Sequence, residues 1–400
     1  MKEVLKKQPQ FILFTIILGF FSGFGQTYCI SMFNGDLETI LSIDIEDIAK
    51  IYGLATFFAS FFLPYIGKLL DRSSLKMFTL LTAVLLSLSF LAFSFVFNVY
   101  LLFMTYFFIR LLGQSTIPLI GSTAISKSFG KYRGSVLSLK SIGKSLGEGV
   151  IPIFVIFLLL NFEFTITVQI IAALLALFLI PSALLLVNSF KMIPLYEENV
   201  AANQIRSNES DFNIIKKDYR LYLLLISNVA LGFILTGVFF HNKYFIDYQS
   251  LPLSSWGKAF ISYSIVQLLS IFGAGLLVDR LGSHRLITFK YIPLIIGLLI
   301  YQLNINPLSV HIMFACFGLS VGISSATAGS VMAEIFGEKN LGRINGINMM
   351  FIVISTSIAP FIFSKFFKTW GVSETINYMN FFLIVSTFLL VITIKLYRKR

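Results

Sequence analysis

"GKLLDRSSLK", Gly67–Lys76, and "GLLVDRLGSHR", Gly275–Arg285, are two versions of one loop, set 208 residues apart. Gly67 matches Gly275, Leu69 matches Leu277, Asp71 matches Asp279 and Arg72 matches Arg280. "SFGKYRGS" at 128–135 is similar to "IFGEKNLGRINGI" at 335–347, with one residue of slippage, and Pro152 falls on Pro360 at the same offset. Repeats at matched positions imply two similar bundles related by a pseudo-two-fold axis.

What lies between these loops is apolar. The chain has 400 residues, of which 56% are hydrophobic and 12% charged, and its mean hydropathy is +0.85. An ordinary soluble domain is about 25% charged. A globular core of this length cannot hide so much apolar sequence, so the surrounding solvent is lipid. Stretches long enough to cross a hydrocarbon layer of about 30 Å are expected at 11–33, 50–70, 77–97, 99–124, 135–160, 165–187, 221–242, 258–278, 286–303, 308–332, 343–365 and 376–396. They lack the strict two-residue alternation of a barrel, and lipid requires internally paired backbone, so they are helices. The expected fold is an all-α integral membrane protein with twelve transmembrane helices in two six-helix bundles. The domains are an N-terminal bundle (1–187), a cytoplasmic linker (188–220) too short for a core of its own, and a C-terminal bundle (221–400). The basic start resembles a secretory signal, but its apolar run is too long and no small-residue cleavage site ends it, so it is read as a retained first span.

Charge orients the spans. With the N-terminus inside, 23 Lys and Arg residues fall in inner loops and tails, against five in outer loops. This bias predicts cytoplasmic termini and an even number of spans in a cell (inner or plasma) membrane. It also accounts for the net charge of +12 without nucleic acid, for which no soluble basic domain exists. Cys29 and Cys316 lie in apolar segments and form neither a disulfide framework nor a metal-ligand spacing. No cofactor or metal is expected.

The paired loops resemble the Gly-x-Leu-x-Asp-Arg signature of the major facilitator superfamily, between spans two and three and again between eight and nine. "RLLGQ" at 110–114 is similar to that family's fourth-span Arg motif, with the Gln-Gly order reversed, and "FGKYRG" at 129–134 resembles its loop before the fifth span. Ser74 stands where the first loop has glycine in the family; the second loop keeps it as Gly282. The resemblance implies alternating access. It also implies that Gly67, Asp71, Arg72, Gly275, Asp279, Arg280 and Gly282 form gating loops holding helix ends together in one state. Locally, an Asp near a helix N-terminus gains from the dipole and from nearby basic groups.

Charges inside spans are expensive, about 2.5–3.5 kcal/mol each at the centre on insertion scales. "LKSIGKSLGEGVIP", Leu139–Pro152, nevertheless puts Lys140, Lys144 and Glu148 on one helical face. Arg110 lies about 18 Å into the fourth span, at a depth similar to Lys144. Glu148 has two candidate partners, Arg110 across the spans or Lys144 one turn away, while Lys140 has the reach to snorkel. Three cations against one anion leave positive charge that an anionic ligand would relieve. Gly143, Gly147 and Gly149 read as packing glycines. At the repeat offset the second half offers only neutral groups opposite these charges. Substrate contacts are therefore expected from Arg110, Lys144, Lys140, Gln26, Tyr28, Asn348, Thr356 and Gln267, and proton exchange from Glu148. His241 is the rival proton carrier, expected at an exposed helix end beside Lys243.

These expectations describe a monomeric secondary transporter of a small organic anion, coupled to protons. "GQTYCISMFNGDLE", "RLLGQ" and "GKSLGEGVIP" look most like bacterial monocarboxylate or oxalate/formate-type anion porters. The rivals are a drug/proton antiporter and, from another class, a membrane enzyme or non-transporting sensor. No metal cluster, nucleophile–base pair or extramembrane catalytic domain is visible for an enzyme.

Overall fold

A computed structural model describes residues 9–128, 133–187, 218–303, 306–336 and 341–398. The expected linker (188–217 of it) and residues 129–132 of the loop before the fifth span lie outside these, as do the side chains of Asp71, Lys140 and Asn345. Regular structure among the described residues is helical throughout. Two compact units divide the chain, Met1–Glu197 and Glu198–Arg400.

Among the described residues ten helices are long and apolar enough to span: Ile45–Leu70, Leu75–Phe93, Val99–Ile125, Ser141–Asn161, Phe164–Leu186, Tyr219–Phe240, Leu253–Leu281, Ser283–Leu303, Pro307–Thr327 and Ile347–Tyr397. Pro9–Gly25 with Thr27–Leu41, bent by 50°, is an eleventh. Ile347–Tyr397 has 51 residues, about 77 Å of helix against a hydrocarbon layer of about 30 Å. It breaks at Gly371, whose φ of 73° and ψ of −176° are non-helical. Counting the two sides of that break separately gives the twelve expected crossings, numbered in chain order below. Exposed Phe61, Phe97, Leu185, Phe381 and Phe388 are side chains that water would reject and lipid accepts.

Both units pair their spans alike. In the first, span one packs on five, two on four, and three on six. In the second, seven packs on eleven (Asn228 with Asn348), eight on ten, and nine on twelve (Gln302 with Ser373). The sequence repeat is therefore a repeat of packing.

The first span departs from the expected continuous helix. Pro9–Phe21 is α-helical, Ser22–Gly25 tightens to a 3₁₀ turn, and Gln26 is extended at φ −86°, ψ 158°. The cause lies in the neighbours. A Cβ on Gly25 would meet the Gln114 nitrogen at 2.4 Å and the Gly113 carbonyl carbon at 2.6 Å, so the backbones of spans one and four nearly touch. The fifth span approaches just as closely: a Cβ on Gly143 would lie 2.2 Å from the Ile16 carbonyl oxygen, and one on Gly147 2.6 Å from that of Phe20. Close helix approach in lipid requires small residues. Gly143→Ala and Gly147→Ala are expected to destabilise the purified protein by about 1–3 kcal/mol through overpacking. Gly273→Ala, on a helix with open space at that position, is expected to hold or raise the melting temperature, since Ala is the better helix former.

Candidate substrate site

Arg110 sits at the break in the first span. Its residue opens a π-helical turn, Arg110–Thr116, in the fourth span; such turns re-aim side chains and recur at functional sites. The guanidinium is 1% exposed. Nε donates to Thr56 Oγ1 at 3.0 Å, Nη1 donates to the Gly25 carbonyl at 3.0 Å, and the group lies 4.9 Å from the centre of the Tyr52 ring. Tyr52 in turn exchanges a hydrogen bond of 2.7 Å with Thr27 and meets Tyr106 edge-on at 5.6 Å. Arg110 thus ties spans one, two and four together. Its Nη2 and the Tyr106 hydroxyl are buried without a hydrogen-bond partner among the described residues. No carboxylate reaches Arg110 among them either.

Of the two partners considered for Glu148, the structure uses Lys144. Oε1 lies 3.5 Å from Lys144 Nζ, one helical turn away. Arg110 is engaged elsewhere because the broken first span offers it a free carbonyl. Glu148 is 5% exposed and its Oε2 has no partner among the described residues, while the Lys144 side chain is 49% exposed. Gln26 is the extended hinge residue of the first span, half-buried, and Tyr28 packs its hydroxyl over Gly23. The backbone of Lys140 continues the same helix, Arg133–Asn161.

In the second unit the expected contacts are dispersed. Gln267 is buried at the crossing of spans eight and ten, beside Gly318. Thr356 bonds the Val353 carbonyl of its own helix and turns its methyl toward Gly232. Asn348 is half-buried and accepts from Asn228 Nδ2 at 3.2 Å. Two expectations are corrected here. The unit does carry a buried cation: Lys290, assigned by sequence to an inner loop, occupies the turn ahead of Ile292–Leu303 within the candidate span Ser283–Leu303, is 1% exposed and donates to Asn228 Oδ1 at 2.6 Å. The expected span, 286–303, already reached past position 290; the short helix Ser283–Leu286 and the turn behind it lead into Ile292–Leu303 and turn the lysine inward. His241 is also buried, at 1% exposure, not at an open helix end. Nε2 lies 2.7 Å from the Pro360 carbonyl, which only accepts, so Nε2 carries a hydrogen. Rings of Phe240, Tyr244 and Phe367 surround it.

The two signature loops are built differently. Ser74 caps the third span by accepting from Met77 N at 3.2 Å, so the serine that replaces glycine does a helix-capping job. Gly282 instead has φ 83°, and a Cβ there would meet the His284 ring at 2.8 Å. Asp279, Arg280 and Arg72 are exposed, with no ion pair among the described residues; Gly67 and Gly275 face open space. The carboxylate that binds the second loop is Glu334, which the sequence reading missed. It accepts from Ser283 N at 3.0 Å, His284 N at 3.1 Å and His284 Nδ1 at 2.7 Å. An acid two residues before "FGEKN" was the available signal. Partial burial alone would raise the Glu334 pKa, but these hydrogen bonds outweigh it and hold the carboxyl below its usual value. A pKa lowered by folding stabilises above the unfolded pKa, and the stabilisation is lost as pH falls through the folded value. Glu334→Gln is therefore expected to lower the melting temperature at neutral pH. The gap from wild type should begin to close below about pH 4.3, where an unfolded Glu protonates; a gap constant from pH 7 to pH 3 would contradict this.

Comparison with known proteins agrees with the architecture. The sequence profile of the Major Facilitator Superfamily matches residues 15–360 and again 224–400. A relative, the agnestins efflux protein AgnL12 of Paecilomyces divaricatus, is 24% identical over 360 residues, covering 88% of this chain and 78% of that protein. Among solved structures, a bacterial homologue of the human lysosomal transporter Spinster, inward-facing and occupied, superposes with a TM-score of 0.71 at 11% identity, covering 96% of each chain. A mutant of the nucleoside transporter NupG superposes at 0.69 with 17% identity, covering 97% of this chain and 99% of its own. At those identities the structures speak for the fold alone. With the profile spanning nearly the whole sequence, the chain belongs to the Major Facilitator Superfamily and is a multi-pass membrane transporter, not an enzyme.

Proposed function

We propose that this transporter moves a small organic anion, such as a monocarboxylate, by alternating access coupled to protons, in a cell membrane with both termini cytoplasmic. The observation that supports the anion is Arg110: a buried guanidinium with no carboxylate partner among the described residues and an amino end, Nη2, left without an acceptor. An uncompensated charge at this depth is costly unless a ligand or water relieves it. Glu148 supports the proton. Its Oε2 is buried and unpartnered among the described residues, so the protonated acid and the Lys144-paired carboxylate have different neighbours to satisfy. The 23-to-5 distribution of cations supports the orientation.

Thermal unfolding of the purified protein with sodium acetate, lactate and oxalate, against sodium chloride at equal ionic strength, tests the substrate class. At 100 times the dissociation constant a ligand adds about 2.7 kcal/mol, and Arg110→Gln is expected to remove that increment. In reconstituted vesicles, Glu148→Gln is expected to abolish proton-driven accumulation while sparing exchange down a gradient; normal uphill transport by that variant would exclude the coupling role.

A second reading, drug/proton antiport, draws support from the efflux relative. It predicts stabilisation by lipophilic amines in place of carboxylates. The excess of buried cations favours the anion.

A further inference from the structure

We infer that Lys290, Asn228 and Asn348 form an anion-binding subsite in the second unit, selective for a carboxylate. The inference deepens the anion reading and rests on it, but on different residues. Lys290 is 1% exposed, yet no acid lies within ion-pair distance among the described residues; what it has is the Asn228 amide and the Tyr291 ring, 4.7 Å away. The Tyr291 hydroxyl is taken by the Ser227 carbonyl and does not serve the ammonium.

The amides have only one consistent orientation. An ammonium only donates, so Asn228 must turn Oδ1 toward it at 2.6 Å. Asn228 Nδ2 then donates, and Asn348 must offer Oδ1 at 3.2 Å. The chain of donors runs from Lys290 outward and ends at Asn348 Nδ2, on a half-buried side chain. A terminal amide N–H polarised by a buried cation is a place for an acceptor with negative charge. The three residues come from the ninth, seventh and eleventh spans. The bonds of 2.6 and 3.2 Å bring the three side chains to one place in the unit.

The repeat shows that packing alone does not demand this lysine. At the offset of 208 residues, Lys290 corresponds to Thr82 and Asn348 to Lys140. Each half therefore has a lysine at one of these two repeat positions, on a different span. Thr82 simply bonds the Phe78 carbonyl of its own helix. A neutral residue suffices at that place in the fold, so the charge at Lys290 serves something beyond span packing.

The test is isothermal titration of sodium acetate, lactate and oxalate into the purified full-length protein, with sodium chloride as control. The proteins are wild type, Lys290→Gln, Lys290→Arg, Asn348→Leu and Arg110→Gln. Removing one charge-assisted contact is expected to weaken carboxylate binding about tenfold or more in Lys290→Gln and by a smaller factor in Asn348→Leu. Lys290→Arg is expected to retain binding within about threefold. Should Lys290→Gln fail to fold, Asn348→Leu at the half-buried end of the chain carries the comparison. If wild type binds a carboxylate and Arg110→Gln weakens it while both Lys290→Gln and Asn348→Leu bind as wild type, this subsite is overturned and the anion reading stands. If wild type binds no carboxylate and is stabilised by amines, both fall.

Discussion

Where the first span breaks, at Ser22–Gln26, a peptide carbonyl is released into the buried interior, and the guanidinium of Arg110 takes it. Backbone groups in lipid must find partners inside the protein. The break is therefore possible only because spans one and four approach at Gly25 and Gly113 with no side chain between them. The same contact explains the π-helical turn that follows Arg110, the placement of Thr56 and Tyr52 around it, and why Glu148 is left to pair with Lys144. A cation that reads on paper as a free ligand contact is first of all a clamp with its Nη2 amino group to spare.

The second unit repeats the packing without repeating the chemistry. Spans seven and eleven meet as spans one and five do, yet the polar contact between them is an amide pair governed by Lys290. The signature loops diverge as well. One starts the next helix with a serine cap; the other turns on a positive-φ glycine and is held by Glu334. Duplication preserved the span pairing, which depends on small and apolar surfaces distributed along whole helices. It did not preserve single polar contacts, each of which depends on one or two residues.

How much was legible follows from that difference. The paired Gly-x-Leu-x-Asp-Arg loops and the recurring apolar stretches were enough for the helical class, the repeat and the family, because these are distributed signals. Gly143 and Gly147 were legible as packing positions, since a glycine four residues from another in a span has few other uses. Lys290 and His241 were misplaced for one shared reason. Each sits near the end of its apolar stretch, where hydropathy falls off gradually and gives no sign whether the side chain turns outward or into the bundle. Glu334 was missed because two of its three bonds come from backbone amides, which no sequence motif displays, and the third from a histidine 50 residues away.

The sequence by itself determined that this chain lives in lipid, that its backbone is helical, and that two similar bundles with a strong loop-charge bias make it up. These follow from composition and periodicity, which act through solvent transfer and act the same way in any packing. Tertiary structure alone decided which cation is clamped, which acid it fails to meet, and which lysine is buried. A hydrogen bond reaches about 3 Å, and only the approach of particular helices, permitted here by glycines, brings two groups within that distance.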